Sequence, residues 1–221
     1  MHVIAWIWVL FIYGMRVLGV RSIPGWRDLS FDFATALTLE LGSLLIFSAS
    51  IAMACRIQFS PLLIPEVPGK MARLARAGLL SLILQFTMAC AMRTWNAGLS
   101  CPNFPLCSET FLPRPWTLYS ALAWTHRWWG VLLLGLFFHL ALLSARKAPL
   151  LAGVTRRAFG LSVAQIFLGI GTVLSGLHPD SRTLHSAVGW ALWGLLFFVA
   201  LRSGGVNLSQ APIFNPQSQR A

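Results

Sequence analysis

The chain has 221 residues, of which 57% are hydrophobic and only 10% are charged, and its formal net charge is +11. Soluble domains carry roughly 25% charged residues, so this composition excludes a soluble globular enzyme, a disordered tail and a secreted disulfide scaffold. It is typical of a membrane protein with several spans. The basic residues lie in short segments between apolar runs, where they set membrane topology, and this placement argues against a nucleic-acid partner.

Six apolar stretches qualify as membrane spans, since a helix needs about 20 residues to cross a bilayer. They are Val3–Val20, Phe33–Cys55, Ala77–Ala97, Thr117–Leu143, Ala158–Leu177 and Leu184–Leu201. The sequence therefore predicts an all-α polytopic membrane protein with six transmembrane helices. Residues 203–221 are polar and predict a flexible cytoplasmic tail.

The loops between these stretches alternate in charge. The second and fourth loops each carry four basic residues: Arg56, Lys70, Arg73 and Arg76, then Arg146, Lys147, Arg156 and Arg157. The third and fifth loops carry one arginine each. The positive-inside rule then places the second and fourth loops, with both termini, in the cytoplasm. The chain is expected in the cytoplasmic (inner) membrane, surrounded by lipid, with the other loops facing outward.

A weak internal repeat links the third and fifth spans. Each carries a mid-span glutamine, Gln85 or Gln165, and each is followed by an outward loop and then a span with a histidine near its outer end, His126 or His185. Two such helix pairs would be parallel repeats about an axis along the membrane normal. The alternative is coincidence among apolar helices.

The two histidines of the repeat are candidate haem ligands. Ionisable side chains at membrane depth usually face the bundle interior, and two histidines from facing helices can ligate one haem iron. The alternative for each is an interfacial histidine bonded to water or a carbonyl. His139 follows His126 by thirteen residues, about 20 Å along a helix, and cannot share its iron. His178 is interpreted as a solvated loop residue.

Three charged residues lie at the level of the proposed iron. Arg93 and Arg127 are candidates for binding haem propionates, because guanidinium groups form bidentate bonds to carboxylates; the alternative is snorkelling to lipid headgroups. Glu40 is the only acid within any span, about 10 Å along the helix from its outer end. An intramembrane carboxyl is a functional candidate, here a catalytic one, and the alternative is a structural glutamate.

The outward loop after the third span contains Cys101 and Cys107 with two prolines between them. A disulfide can persist on the outward side of a membrane. The alternative is a reactive pair that exchanges electrons with a thiol partner. A zinc site is disfavoured, because no third and fourth ligands lie nearby in sequence.

The segment from Leu84-Gln85 through the loop Ala97-Gly98-Leu99-Ser100-Cys101-Pro102-Asn103-Phe104-Pro105-Leu106-Cys107 resembles the heme A synthase family. Three further motifs are similar to those of the family and follow in the same order: His126-Arg127, the helix from Gln165 to Leu174, and Leu184-His185. Together these cover about residues 77–202.

The resemblance implies a membrane oxidoreductase that converts heme O to heme A by oxidising a methyl group to a formyl group for cytochrome oxidase assembly. It implies His126 and His185 as ligands of heme B or heme O, and Cys101 and Cys107 as a disulfide or redox pair. The implied partners are the haem substrate, a terminal oxidase or heme O synthase, an unidentified electron donor, and a second copy of the chain, since half-size members assemble as oligomers.

Two features depart from the family pattern. The family usually has a glutamate three residues before the His-Arg pair, where this chain has Ala123, and only one four-helix unit is present.

The expected organisation is an N-terminal helix pair at 1–60, a haem-binding four-helix bundle at 61–202 and the tail at 203–221. The alternative function is a b-type haem protein that carries electrons or haem without making heme A, as a respiratory-complex subunit or an assembly factor.

Overall fold

The computed structural model describes residues 29–58, 67–107 and 110–204, with side chains from residue 33 onward. Within these ranges the chain forms five α-helices and no strand. They are α1 (Leu29–Gln58), α2 (Gly69–Thr94), α3 (Leu118–Lys147), α4 (Pro149–Leu174) and α5 (Pro179–Arg202). The predicted first span, Val3–Val20, and the chain beyond residue 204 lie outside the described residues.

All five helices are long and apolar enough to cross a membrane. Five of the predicted spans are thus confirmed as helices, but their ends differ from the apolar stretches. α2 begins at Gly69 rather than Ala77, and the predicted fourth loop is reduced to Ala148 between α3 and α4. Apolar character ends at the first charged residues, whereas backbone hydrogen bonding continues through them, so the helices extend into the flanking basic segments.

Local sequence signals begin three of the helices. Thr117 caps α3: its hydroxyl accepts a hydrogen bond from the Ser120 backbone N–H at 3.1 Å, and the Ser120 hydroxyl accepts from the Thr117 N–H at 3.0 Å. This reciprocal pair satisfies N–H groups that have no partner within the helix. Pro149 and Pro179 open α4 and α5, where proline's missing N–H costs nothing and its fixed φ suits the helix.

The four helices α2 to α5 form a closed bundle. Each packs on its neighbour in sequence, α2 also packs on α5, and α1 lies outside against α2 and α5. Gly78 permits the close approach of α2 and α5, since a Cβ there would lie 2.8 Å from Leu196 Cδ2. The main buried core occupies the first half of α2 and the second halves of α3 and α5, as with Leu79, Phe137 and Leu196.

We expect the two ends of α4 to lie on opposite sides of the membrane. A cysteine at Asp180, an exposed residue at the start of α5, should react with a membrane-impermeant thiol reagent in intact cells. A cysteine at the exposed Lys147 should react only after permeabilisation, because the basic helix ends are expected in the cytoplasm. The measurement needs Cys55 and Cys90 replaced by alanine. The reverse labelling pattern would contradict the predicted topology.

Candidate functional site

Gln85 of α2 reaches across to His126 of α3. Its side-chain Nε2 donates a hydrogen bond to the backbone carbonyl oxygen of His126 at 3.1 Å and lies 3.3 Å from the ring Nε2 of the same histidine. Gln85 lies nine residues before the end of α2, and His126 lies eight residues after the start of α3. One amide group therefore contacts both the backbone and the ring of the histidine.

The same arrangement recurs in the second helix pair. Gln165 Nε2 of α4 donates to the His185 carbonyl oxygen at 2.9 Å and lies 3.4 Å from the His185 ring Nε2. Gln165 also lies nine residues before the end of its helix, and His185 lies six residues after the start of α5. The α2–α3 and α4–α5 hairpins thus carry equivalent contacts, and the weak sequence repeat has a structural counterpart.

Two glycines complete this repeat and were not predicted from the sequence. Gly130 and Gly189 each follow their histidine by four residues, one helical turn further on. A Cβ on Gly189 would lie 3.3 Å from Gln165 Nε2, and one on Gly130 would lie 3.7 Å from Gln85 Nε2. The missing side chain leaves room for the amide beside the histidine carbonyl. The signal that could have revealed it is the His-x-x-x-Gly spacing, present in both helices.

Four buried polar atoms of the two Gln–His pairs make no hydrogen bond within the described residues. They are Gln85 Oε1, His126 Nδ1, Gln165 Oε1 and His185 Nδ1. His126 and His185 lie within electrostatic range of each other, and Arg93 lies within range of both. Buried polar groups normally have a partner. These four atoms have no hydrogen-bond partner and correspond between the two hairpins, which marks this region as a candidate ligand site.

The donor set fits a haem. A porphyrin supplies four nitrogen ligands itself, so the protein needs to provide only axial ligands, and imidazole is a common one. Within the described ranges, no three His, Cys, Asp or Glu side chains converge as a metal site of their own would require. The residues therefore suit a haem iron better than a metal ion bound by protein alone.

Arg93 and Glu40 form an ion pair beside the histidines. Arg93 Nη2 donates to Glu40 Oε2 at 2.7 Å, joining α2 to α1. The Glu40 side chain is only 4% exposed, whereas that of Arg93 is 28% exposed. Arg93 was expected to face a propionate or lipid headgroups, and its contact in the structure is instead a carboxylate of the protein. Its role toward haem stays a prediction, as does the catalytic role of Glu40.

Cys101 and Cys107 are joined by a disulfide, which confirms the first of the two sequence interpretations. Both cysteines are buried, and they pack against Ala123, Met92 and Trp124. Ala123, the position at which the resemblance implies a glutamate, is fully buried in this cluster. No carboxylate therefore projects from this turn of α3.

Arg127 holds the disulfide loop in place. Its guanidinium donates to the backbone carbonyls of Asn103, at 2.6 Å, and of Cys101. Arg127 is adjacent to His126 but points elsewhere, because consecutive residues on a helix are about 100° apart. Gly98 of the same loop has Leu177 against it: a Cβ there would lie 2.8 Å from Leu177 Cδ1. The structure shows Arg127 bound to the loop, and its predicted role toward a cofactor stays a prediction.

The other two described histidines lie away from this site. His139 is exposed on α3, thirteen residues after His126. His178 precedes α5, and its Nδ1 accepts from the Asp180 backbone N–H at 3.4 Å, so it acts as a helix cap. Neither is positioned to complete the Gln–His repeat.

Helices of membrane-spanning length, paired histidines held by glutamines and an adjacent disulfide loop define a class of polytopic helical membrane protein with a buried paired-histidine site. The family model for cytochrome oxidase assembly proteins, COX15-CtaA, matches residues 33–197, three quarters of the chain. The chain belongs to this family, and the resemblance found in the sequence is confirmed. No curated protein and no solved structure matches it.

Proposed function

We propose that the chain is a heme A synthase-type membrane oxidoreductase. It binds haem between His126 and His185 and oxidises the methyl group of heme O to the formyl group of heme A. Membership of the family supports a role in cytochrome oxidase assembly. The observation that carries the proposal is the duplicated Gln–His contact, which holds one histidine on α3 and one on α5 in the same way.

The residues around the histidines have distinct proposed tasks. A bound haem supplies the redox-active iron and, as heme O, the methyl group to be oxidised. His126 and His185 would hold the iron, and Arg93 would bind a propionate with the part of its guanidinium that does not face Glu40. With water as the source of the formyl oxygen, turning a methyl into a formyl group releases protons and electrons, and the electrons would pass to an electron-transfer protein. Glu40, buried beside Arg93, is the proposed carboxylate that accepts a proton.

Electrons and haem must be exchanged with other molecules. The proposed partners are a heme O synthase that delivers the substrate, a terminal oxidase that receives the product, and an electron-transfer protein. A second copy of the chain is also proposed, because one four-helix unit offers a single histidine pair.

A second function is favoured by Ala123. Its burial against the disulfide leaves no carboxylate at the position where the family usually has one. A protein with the histidine pair but without that carboxylate could bind heme B and carry electrons or haem without oxidising a methyl group. In the first function Glu40 takes over the task of the carboxylate that is missing at Ala123. In the second function it does not.

Extraction of haem from the purified protein separates the two functions. The chain is expressed in a host that makes heme O but no heme A, and the extracted haems are identified by chromatography and mass. Heme A above the level in a host with an empty vector supports the synthase. Heme B alone supports the electron carrier, and a preparation without haem contradicts both.

A further inference from the structure

The function proposed above assigns no task to Gln85 and Gln165, although each makes two contacts to one histidine. The geometry points to a specific one: we propose that each glutamine is a positioning residue that fixes the tautomer of its histidine, with the ring proton on Nδ1 and the lone pair on Nε2. Only the consequence for haem rests on the proposed function. The contacts themselves do not.

The carbonyl contact decides which way each amide points. A backbone carbonyl oxygen can only accept a hydrogen bond, so the group facing the carbonyl of His126 must be the NH₂ of Gln85 and not its oxygen. The same holds for Gln165 and the carbonyl of His185. Because the orientation follows from a partner that cannot change its role, both amides are fixed in the same sense.

The second amide hydrogen then decides the tautomer. An NH₂ group has two donors in a fixed plane. With one directed at the carbonyl, the other faces the ring Nε2, 3.3 Å away in the first hairpin and 3.4 Å in the second. A neutral imidazole has one donor and one acceptor nitrogen. A ring nitrogen that accepts from the amide carries the lone pair, and the proton is on Nδ1.

This tautomer has a consequence for metal binding. The neutral imidazole nitrogen with the lone pair is the metal ligand, and the hydrogen bond on the other nitrogen usually sets which one that is. Here the glutamine engages the Nε2 lone pair itself. Iron binding through Nε2 would therefore have to displace the amide hydrogen from the ring, while the hydrogen bond to the histidine carbonyl keeps the glutamine anchored to the helix backbone.

Nitrogen-15 spectra of the protein without haem test the tautomer directly. His2→Gln, His139→Gln and His178→Asn leave two labelled rings, His126 and His185. Both are expected to show a protonated Nδ1 and an unprotonated Nε2. Gln85→Met keeps the side-chain volume but removes the donor, and should convert the His126 signals to a tautomer mixture while those of His185 stay unchanged. Gln165→Met should do the reverse.

Matched variants control for general disruption. Thr87→Val changes a polar residue two positions from Gln85 whose hydroxyl donates to the Ile83 carbonyl oxygen of the same helix at 2.9 Å, and should change neither ring. Gly189→Ala should perturb His185, because its Cβ would lie 3.3 Å from Gln165 Nε2. Gly130→Ala leaves 3.7 Å and should perturb His126 less. The glycine pair gives a result even if a methionine variant fails to fold.

Two results would overturn the proposal: a protonated Nε2 in the parent protein, or signals that neither methionine variant changes. Failure of the parent to bind haem would contradict the proposed function but leave the tautomer result standing.

Discussion

Replacing His126 or His185 with alanine is expected to abolish the six-coordinate low-spin haem spectrum. Each variant would remove one of the two histidines proposed to hold the haem iron. The remaining haem should become high-spin, and haem retention through purification should fall by more than the roughly 10–100-fold typical of outer-sphere changes. Absorption spectra of the reduced protein, with haem content per chain, provide the measurement.

A control on the same helix makes this result specific. His139 is exposed on α3, so His139→Ala removes a histidine without reaching the site, and should leave the spectrum unchanged. A low-spin spectrum that survives in both His126→Ala and His185→Ala would place the haem elsewhere. Loss of the low-spin spectrum in only one of these two variants would indicate that the two hairpins do not share an iron.

Glu40→Gln is expected to eliminate heme A formation while haem binding is retained. Glutamine has nearly the same shape but cannot take up a proton as a carboxylate does. Breaking a buried ion pair costs about 3–5 kcal/mol, and because Arg93 is 28% exposed we expect a loss nearer 1–3 kcal/mol. Heme A yield, haem content and the thermal midpoint in detergent are measured together.

The double variant Glu40→Gln with Arg93→Gln separates chemistry from stability. Removing both charges should restore part of the stability lost in the single variant, since neither member of the pair is then left as an unpaired charge. Heme A is measured per haem bound, because Arg93 is also a proposed propionate partner, and this ratio should not recover if Glu40 has the proposed chemical task. A single variant that makes as much heme A as the parent would show that Glu40 is not needed. A parent that makes none would favour the electron carrier.

Much of this site could be predicted because its signals are local in sequence. Gln85 and Gln165 stand out as mid-span amides in similar contexts, and the two cysteines lie within one short loop. Membrane depth can be estimated from position along a helix, so the matched levels of His126 and His185 were also accessible. The helical spans of the described chain were predicted from these patterns, and the disulfide was one of the two interpretations of the cysteine pair.

The contacts between distant elements could not be predicted in the same way. Glu40 and Arg93 are 53 residues apart, and nothing in an apolar helix reveals which neighbour it packs against. The partners of Arg127 are backbone carbonyls, which every residue has and no sequence pattern distinguishes. The glycines after the histidines could have been noticed, but their purpose depends on where the glutamine amides lie.

Ala148 alone connects the α2–α3 hairpin to the α4–α5 hairpin. This division into two hairpins affects how the protein inserts into the membrane during synthesis. Each hairpin contains its own Gln–His contact, so each can enter the bilayer as a unit whose amide and histidine are already hydrogen-bonded, which lowers the cost of placing these polar groups in hydrocarbon. About 60 residues separate the two histidines, or roughly 3–12 s of synthesis. During that interval His126 has been translated but His185 has not. A site that needs both can therefore be filled only after α5 has been translated.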